Sequence, residues 1–531
     1  MMATIVTEEE EMMHNGEALP ILSASAKNMK IEKLLATPLP TYDTSVPGSY
    51  LWTKIAFWMC RRVSSVQFRT TSTSQSTPLS VEGAGAMCCG WHTNGLMDPL
   101  AIFLHHPKEF VVGARHDLVT RPLLGWWTRR LAVQPVVRKA ELLRGGCTEE
   151  EALHLNGRSL LALSNGIAHG FGCVLFPEGT SHSEAHMIRF KTGPFRTVLA
   201  AAALAKAKGL PLPHLVPVGL HYRRRDLFRT DQFIEFGKPL QLSDEMIPAE
   251  MVEAVRQGGW TEPPEATVHR VRDELKGILP SMTPNAATWK EHRALHLMAH
   301  VRARNDGKRL SSWQSEVLAA REIRYAQRGS DSAFPPKALA GENFDRASEA
   351  AELLEAHGLD GRHLGPQGRV LRKANWTRLP SSVLSMLFFL ALLPFAITSL
   401  GFQVAIGRIL GDSTDEGLDA RTSYQFLAAF FGSLLVWPVV AGFWTAVTWF
   451  ARKWIASTMQ WNDSWLEFGG ASPAFGLLAV YFFCFPIFWM SGKSFALAWD
   501  AWVDTRNAWV RMRFPGERKA RLKRLLEEIT S

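Results

Sequence analysis

Phe176-Pro177-Glu178-Gly179-Thr180 is the stretch on which the fold turns. Ahead of it, Gly172-Cys173-Val174-Leu175-Phe176 is short, apolar and β-prone, and Pro177 and Gly179 stop it at once. A strand ending in Pro-Glu-Gly-Thr leaves a carboxylate, a hydroxyl and a pliable backbone at its C-terminal tip. In open α/β sheets that tip is where ligands bind. The spacing predicts further strands at Gly85–Gly90, Phe110–Gly113, Gln134–Val137 and Leu215–Gly219, with helices between them from Pro99, Leu123 and Thr148. Thr148 followed by Glu149, Glu150 and Glu151 reads as a capped helix start. Residues 80–240 are therefore expected to be an α/β domain with a mainly parallel sheet and flanking helices.

The rest of the chain divides around that domain. With 531 residues, more than one part is expected. Residues 1–46 carry an acidic run at Glu8–Glu11 with no apolar leader behind it, and read as disordered with no secretory signal. Residues 47–79 hold Tyr50–Cys60, which is aromatic and apolar and runs into Arg61-Arg62. That stretch is short of the about 20 apolar residues a bilayer needs, so it reads as a helix lying in the membrane interface, followed by a linker. Residues 241–380 are polar and helical, a connector packed on the domain.

From 381 to 505 the apolar runs lengthen. Val383–Ala405 and Phe426–Phe450 are uncharged and long enough to span. Ala474–Met490 is shorter and holds Pro486. Lys/Arg asymmetry places residues before 380 and around Arg452 in the cytosol, and 411–421 in the lumen. A third full crossing would carry the basic tail, 506–531, to the far side. The tail is therefore expected to be cytosolic, with Ala474–Met490 re-entrant or Ser494–Val503 returning as a hairpin.

The net charge of +9 suits a membrane surface or a phosphorylated substrate. No zinc spacing, RNP-like strand or basic zipper speaks for nucleic acid. Six cysteines without a C-x-x-C pair lie mostly in apolar runs and read as reduced thiols. No histidine spacing supports a metal site.

His92-Thr93-Asn94-Gly95-Leu96-Met97-Asp98-Pro99 is the second chemical element. Asn94-Gly95 is a turn signal, and Asp98 before Pro99 reads as an N-cap. The turn can fold His92 back onto Asp98, whereas on a continuous helix residues six apart share no face. Asp98 would hold the tautomer while His92 accepts a proton. An isolated pair of this kind is more often a capped helix beside a surface histidine. Arg138, after the Gln134–Val137 strand, could hold a phosphate with its forked donors, and Arg189, Lys191 and Arg196 share that reading.

The order of these blocks resembles the glycerolipid acyltransferases. His92…Asp98, then Arg115 to Arg138, then Phe176–Thr180, then Val216-Pro217-Val218-Gly219 looks like the four motifs of that family. The pattern with apolar spans behind it is most similar to the fungal-type glycerol-3-phosphate/dihydroxyacetone-phosphate acyltransferases. Arg121–Gly125, Pro135–Arg138 and, more weakly, Thr283–Arg304 extend the likeness. Five residues separate His92 and Asp98 where the family at large has four, and the fungal-type branch resembles this chain there. Ser181 stands where the family has an arginine after Gly-Thr.

The resemblance implies acyl transfer from acyl-CoA, as co-substrate, to a hydroxyl of glycerol 3-phosphate or dihydroxyacetone phosphate at the endoplasmic reticulum membrane, with the catalytic part in the cytosol. It implies His92 and Asp98 as catalytic, and Arg138, Glu178, Gly179, Thr180 and Lys191 as substrate-binding, without cofactor or metal. Membrane lipids are the expected surroundings, and oligomeric state stays open. The alternatives are acylation of a lysophospholipid such as lysophosphatidic acid, and a non-catalytic lipid-binding scaffold. A channel would need ionisable groups in the spans, and Val383–Ala405 and Phe426–Phe450 have none.

Overall fold

A computed structural model describes residues 13–14, 17–18, 29–75, 82–137, 146–329, 333, 335–412, 418–460 and 473–530. Among the described residues nine strands lie between 68 and 241: β1 Phe68–Gln75, β2 Ala86–Gly90, β3 Phe110–Val111, β4 Gly113–Arg115, β5 Gln134–Val136, β6 Gly172–Val174, β7 His214–Tyr222, β8 Thr230–Phe236 and β9 Leu240–Gln241. The main sheet runs β1-β8-β7-β2-β6-β3, with β9 along β7. Only the β7–β8 and β7–β9 pairings in it are antiparallel. The expected mainly parallel α/β domain is the one observed.

β2 is buried along its whole length, as its unbroken Ala-Met-Cys-Cys-Gly run requires of a strand covered on both faces. Helices Glu149–Ala168 and Gly193–Ala207, which pack on each other, and Met97–His105 contribute that cover: Ala101, Ile102, Leu163, Ile167, Phe195 and Val198 share one core with β2 and β7. Thr148 caps the first of these helices in a capping box with Glu151. All six cysteines are free, and burial pushes the Cys173 thiol up to about 12.

Two boundaries move. β1 lies in the stretch read as a linker, because its Thr/Ser-rich sequence has no apolar alternation to announce an edge strand. The part of the N-terminal segment that is described, from 29 onward, is packed: Leu34 is fully buried with Val119, Val133 and Leu155. The remainder of 1–46 is largely outside the described residues. The helix Tyr50–Gln67 leaves Tyr50, Leu51 and Trp58 exposed while Ala56 and Met59 pack on Trp127. The connector is helical as expected and packs on the sheet: the Trp313 indole donates to the His221 carbonyl at 3.0 Å.

The apolar region departs furthest from expectation. Five helices carry it: α1 Leu379–Ala391, α2 Leu393–Asp412, α3 Leu418–Met459, α4 Pro473–Met512 and α5 Gly516–Thr530. Val383–Ala405 is not one span. The chain breaks at Leu392, just before Pro394, and both ends of 379–412 return to the catalytic body. Arg378 reaches Asp504 at 3.5 Å, and Asp504 also holds Arg69 of β1 at 3.1 Å. At the other end Asp412 accepts from Arg421 at 2.6 Å, and the next residue, Thr422, donates to Asn94 at 2.6 Å.

α2 and α3 run antiparallel in close contact, made possible by glycines. A Cβ on Gly432 would stand 2.4 Å from the Gln403 side chain, and one on Gly407 3.0 Å from the Gln425 backbone. α3 and α4 continue away from the body as an antiparallel pair, with Ala441, Cys484 and Phe488 buried between them.

Three corrections follow. Asp412 and Arg421 lie beside the His92 loop on the catalytic body, where a lumenal 411–421 was expected to be remote from it. Arg452, expected beside the residues before 380, lies about 45 Å along α3 from Thr422, toward the helix end away from the catalytic body. Ala474–Met490 is neither re-entrant nor part of a hairpin with Ser494–Val503, since α4 is one helix through Pro486. The tail does rejoin the body. Leu522, Leu525 and Leu526 of α5 pack with Ala350 and Leu354 of the connector. By length and composition α2, α3 and α4 are candidate membrane spans, with only 17–22% of each apolar window buried.

Candidate active site

β2 and β6 are parallel neighbours, so the loops leaving their C-terminal ends meet. One carries His92 and the other Glu178. Asp98 is fully buried, and its Oδ2 accepts from His92 Nδ1 at 2.9 Å, from Thr93 N at 2.7 Å and from Asn94 N at 2.7 Å. The turn at Asn94-Gly95 folds His92 back as expected, with Met97 N donating to Asn94 O at 2.8 Å and Gly95 at φ 41°. The helix begins at Met97 with Leu96 as its N-cap, so Asp98 sits inside the first turn instead of capping it.

A carboxylate facing Nδ1 calls for the proton there and leaves Nε2 as the acceptor. The His92 ring stacks on Phe176, with centroids 4.1 Å apart and planes 8° apart. Its side chain is 18% exposed. The pair is thus a fixed imidazole, partly open to the outside, over a buried carboxylate.

Glu178 is fully buried and turned inward. Oε2 accepts from His92 N at 2.7 Å, and Oε1 accepts from Ile188 N and meets His182 Nε2, each at 2.8 Å. Oε2 thus holds the His92 backbone while Oε1 holds the 182–188 segment, so both oxygens are engaged by groups of the fold. Gly179 has φ 70°, a left-handed conformation that favours glycine, and the Lys191 ammonium lies 3.1 Å from where its Cβ would be. Lys191 is therefore brought to the Glu178 turn. Thr180 is partly exposed, its hydroxyl 3.4 Å from Ser181 O. Arg138 lies outside the described residues. The strand before it, β5, pairs with β4 in a separate two-stranded sheet, so the reason for placing Arg138 at the same crevice falls away.

Asp117 gathers the arginines of the second block. Its carboxylate accepts from Arg115 at 2.5 and 2.9 Å and from Arg121 at 2.8 Å. Burial alone would raise Asp117, but the hydrogen bond from Arg115 and the two positive charges outweigh it and hold the carboxyl below its ordinary value. Tyr222, partly buried beside Asp98, is pushed well above the ordinary phenol value by desolvation of its hydroxyl first and by that neighbouring charge second.

Sequence reasoning missed four contributors. His182 and Arg225 come from loops; Arg225 Nη1 donates to Thr93 O at 2.9 Å and to His182 O at 3.1 Å. Thr422 and Ser423 come from α3, more than 300 residues away. The Thr422 hydroxyl donates to Asn94 Oδ1, and Ser423 Oγ accepts from Leu96 N at 3.0 Å. Phe426 buries against Met97 beside them. No local signal marks these two hydroxyls at the start of an apolar helix.

A model of the acyltransferase family matches residues 65–221, which contain every one of the loops around His92 except the α3 contribution and Arg225. Residues 65–221 are thus an acyltransferase-family domain, and the relatives they resemble include glycerolipid acyltransferases. Glycerol-3-phosphate O-acyltransferase 2 of Saccharomyces cerevisiae is 30% identical over 122 residues, 23% of this chain and 15% of that protein. Glycerol-3-phosphate O-acyltransferase 1 of the same yeast is 25% identical over 136 residues, 26% of this chain and 16% of that protein. A 1-acyl-sn-glycerol-3-phosphate acyltransferase of Streptococcus pneumoniae is 25% identical over 194 residues, 36% of this chain and 62% of that protein. The match thus spans about one sixth of the yeast relatives' length and under two thirds of the bacterial one.

Proposed function

We propose that this protein moves an acyl group from acyl-CoA to a hydroxyl of glycerol 3-phosphate or dihydroxyacetone phosphate, making a lysophosphatidic acid type product at the endoplasmic reticulum membrane. The observation that carries the reading is the His92 Nδ1–Asp98 contact, which leaves Nε2 as a base at the sheet tips. His92 Nε2 takes the acceptor's hydroxyl proton as the oxygen attacks the thioester carbonyl. Asp98 keeps the imidazole oriented and balances its charge when protonated, as in a triad without its serine. The C–S bond then breaks, and the thiolate leaves with the proton from the imidazolium. The buried Glu178 positions His92 through its backbone and touches no substrate.

Ser181 offers no cation for the acceptor's phosphate. Lys191, over Gly179, is the group assigned to it, and the Gly179-Thr180 turn faces the same region. The two yeast relatives' names support glycerol 3-phosphate as acceptor. A second reading, acylation of lysophosphatidic acid, is favoured by the bacterial relative, of which this chain covers the larger share. The apolar helices suit a fatty donor and product that partition into lipid.

Purified full-length protein, given labelled acyl-CoA and each of glycerol 3-phosphate, dihydroxyacetone phosphate and lysophosphatidic acid, tests the acceptor. Product from either of the first two, lost in His92→Ala, is expected. Turnover with lysophosphatidic acid alone transfers the assignment to the second reading, and no turnover with any of the three overturns acyl transfer to a glycerolipid.

A further inference from the structure

Arginines converge where the connector meets the feet of the apolar helices. Arg304 ends one connector helix, Arg372 follows the Leu364–Leu371 bridge, Arg378 precedes α1, and Arg511 lies in the last turn of α4. Their backbones are held together by packing. Val301, Leu371 and Phe514 share one apolar cluster with Val510 against it, and a Cβ on Gly368 would stand 3.1 Å from the Arg304 Cβ. Exposed Arg309 stands beside them. Counting Arg69, the cluster holds six arginines, and the carboxylate of Asp504 beside it is already occupied by Arg69 and Arg378.

Among the described residues, Arg304, Arg309, Arg372 and Arg511 have no carboxylate at salt-bridge distance. Arg511 is only 7% exposed, and the buried Nε atoms of Arg304, Arg372 and Arg511 have no hydrogen-bond partner. A guanidinium withdrawn from water without a counter-ion is costly, and like charges nearby add to the cost. Burial, and then Arg309 and Arg372, lower the Arg304 value; burial, and then Arg309 and Arg378, lower that of Arg372.

We propose that this arginine cluster binds the phosphate headgroup of an anionic membrane lipid. A phosphate supplies the missing charge and acceptors, and the planar guanidinium fork matches its oxygens. The place argues for a lipid as the source. Arg378 and Arg511 terminate apolar helices, and the exposed indoles of Trp376 and Trp509 flank them as interfacial aromatics do. The cluster shares no residue with the His92 site, so the inference stands apart from the proposed reaction.

The test is thermal melting of purified full-length protein in neutral mixed micelles, titrated with phosphatidic acid, with phosphatidylcholine, or with inorganic phosphate in solution. Phosphatidic acid is expected to raise the melting temperature saturably, and phosphatidylcholine is not. Arg372→Gln and Arg309→Gln should each need about fivefold more phosphatidic acid, the factor that ~1 kcal/mol per basic side chain at an anionic surface implies. Without lipid, Arg372→Gln should melt no lower than the parent, because it relieves repulsion. An unchanged titration in both variants overturns the site. Equal stabilisation by inorganic phosphate overturns the lipid as its source. Should Arg372→Gln fail to fold, the exposed Arg309→Gln decides.

Discussion

The turn that carries His92 is held from two sides, and the two holds differ in kind. From the sheet comes Glu178, a buried carboxylate accepting from His92 N, Ile188 N and His182. From the apolar region come Thr422 and Ser423, neutral hydroxyls that meet Asn94 and Leu96. A hydrogen bond to a charged group contributes about 1.5–3 kcal/mol, and a neutral one about 0.5–1.5. The sheet side should therefore set whether His92 is in place at all. The helix side should tune it, and it ties the chemistry to how α3 is seated.

The largest effect expected is at His92 itself, on which both holds converge. His92→Ala should lower kcat by about 10²–10⁴-fold while the protein stays folded, as steady-state kinetics and melting would register. Near-normal turnover would end the role given to the imidazole.

Glu178→Gln breaks the sheet side alone. The amide must turn an NH₂ toward a backbone N–H, at a cost of about 1–3 kcal/mol. A kcat loss of roughly ten- to a hundredfold is expected, with the acyl-CoA KM little changed. A rise in acceptor KM at constant kcat would instead return Glu178 to the role of substrate contact.

Thr422→Val breaks the helix side and should cost kcat about three- to tenfold, which Thr422→Ser should restore because it keeps the hydroxyl. Equal loss in both would mean that packing of the threonine methyl matters and the bond to Asn94 does not.

The smallest effect should fall outside both holds. Lys191→Gln removes an exposed cation over Gly179 and leaves the His92 turn untouched. We expect a rise in acceptor KM of about fivefold with kcat nearly constant, measured over a range of acceptor concentrations. A fall in kcat alone would place Lys191 with the positioning groups.

Topology gives the same comparison another edge. A cysteine at Asp412 should react with an impermeant thiol reagent from the same side of the membrane as one at Arg309, because both ends of 379–412 abut the catalytic body. Labelling from opposite faces would break that account.

The chemistry at the sheet tips was legible in the residues because its grammar is local. Strand, Pro and Gly together predict where β6 stops, and Asn94-Gly95 predicts the fold-back of His92 onto Asp98. Parallel pairing then makes neighbouring tips meet. Apolarity is local too, so the region after 380 was recognisable as one that lipid could cover. The direction of Glu178 was not legible, since a carboxylate at a strand tip reads alike whether it faces solvent or three internal donors. Nor was the turn-back at Leu392, or the reach of Thr422 to Asn94. Those depend on which helices pack together, and Gly407 and Gly432 permit a close approach whose partner no short window contains. The sequence by itself determined the chemical groups, the sheet and the apolar character of the helices. Only the tertiary structure decided that an apolar helix completes the His92 turn, because that contact joins residues more than 300 apart, and its energy exists only once both are folded against each other.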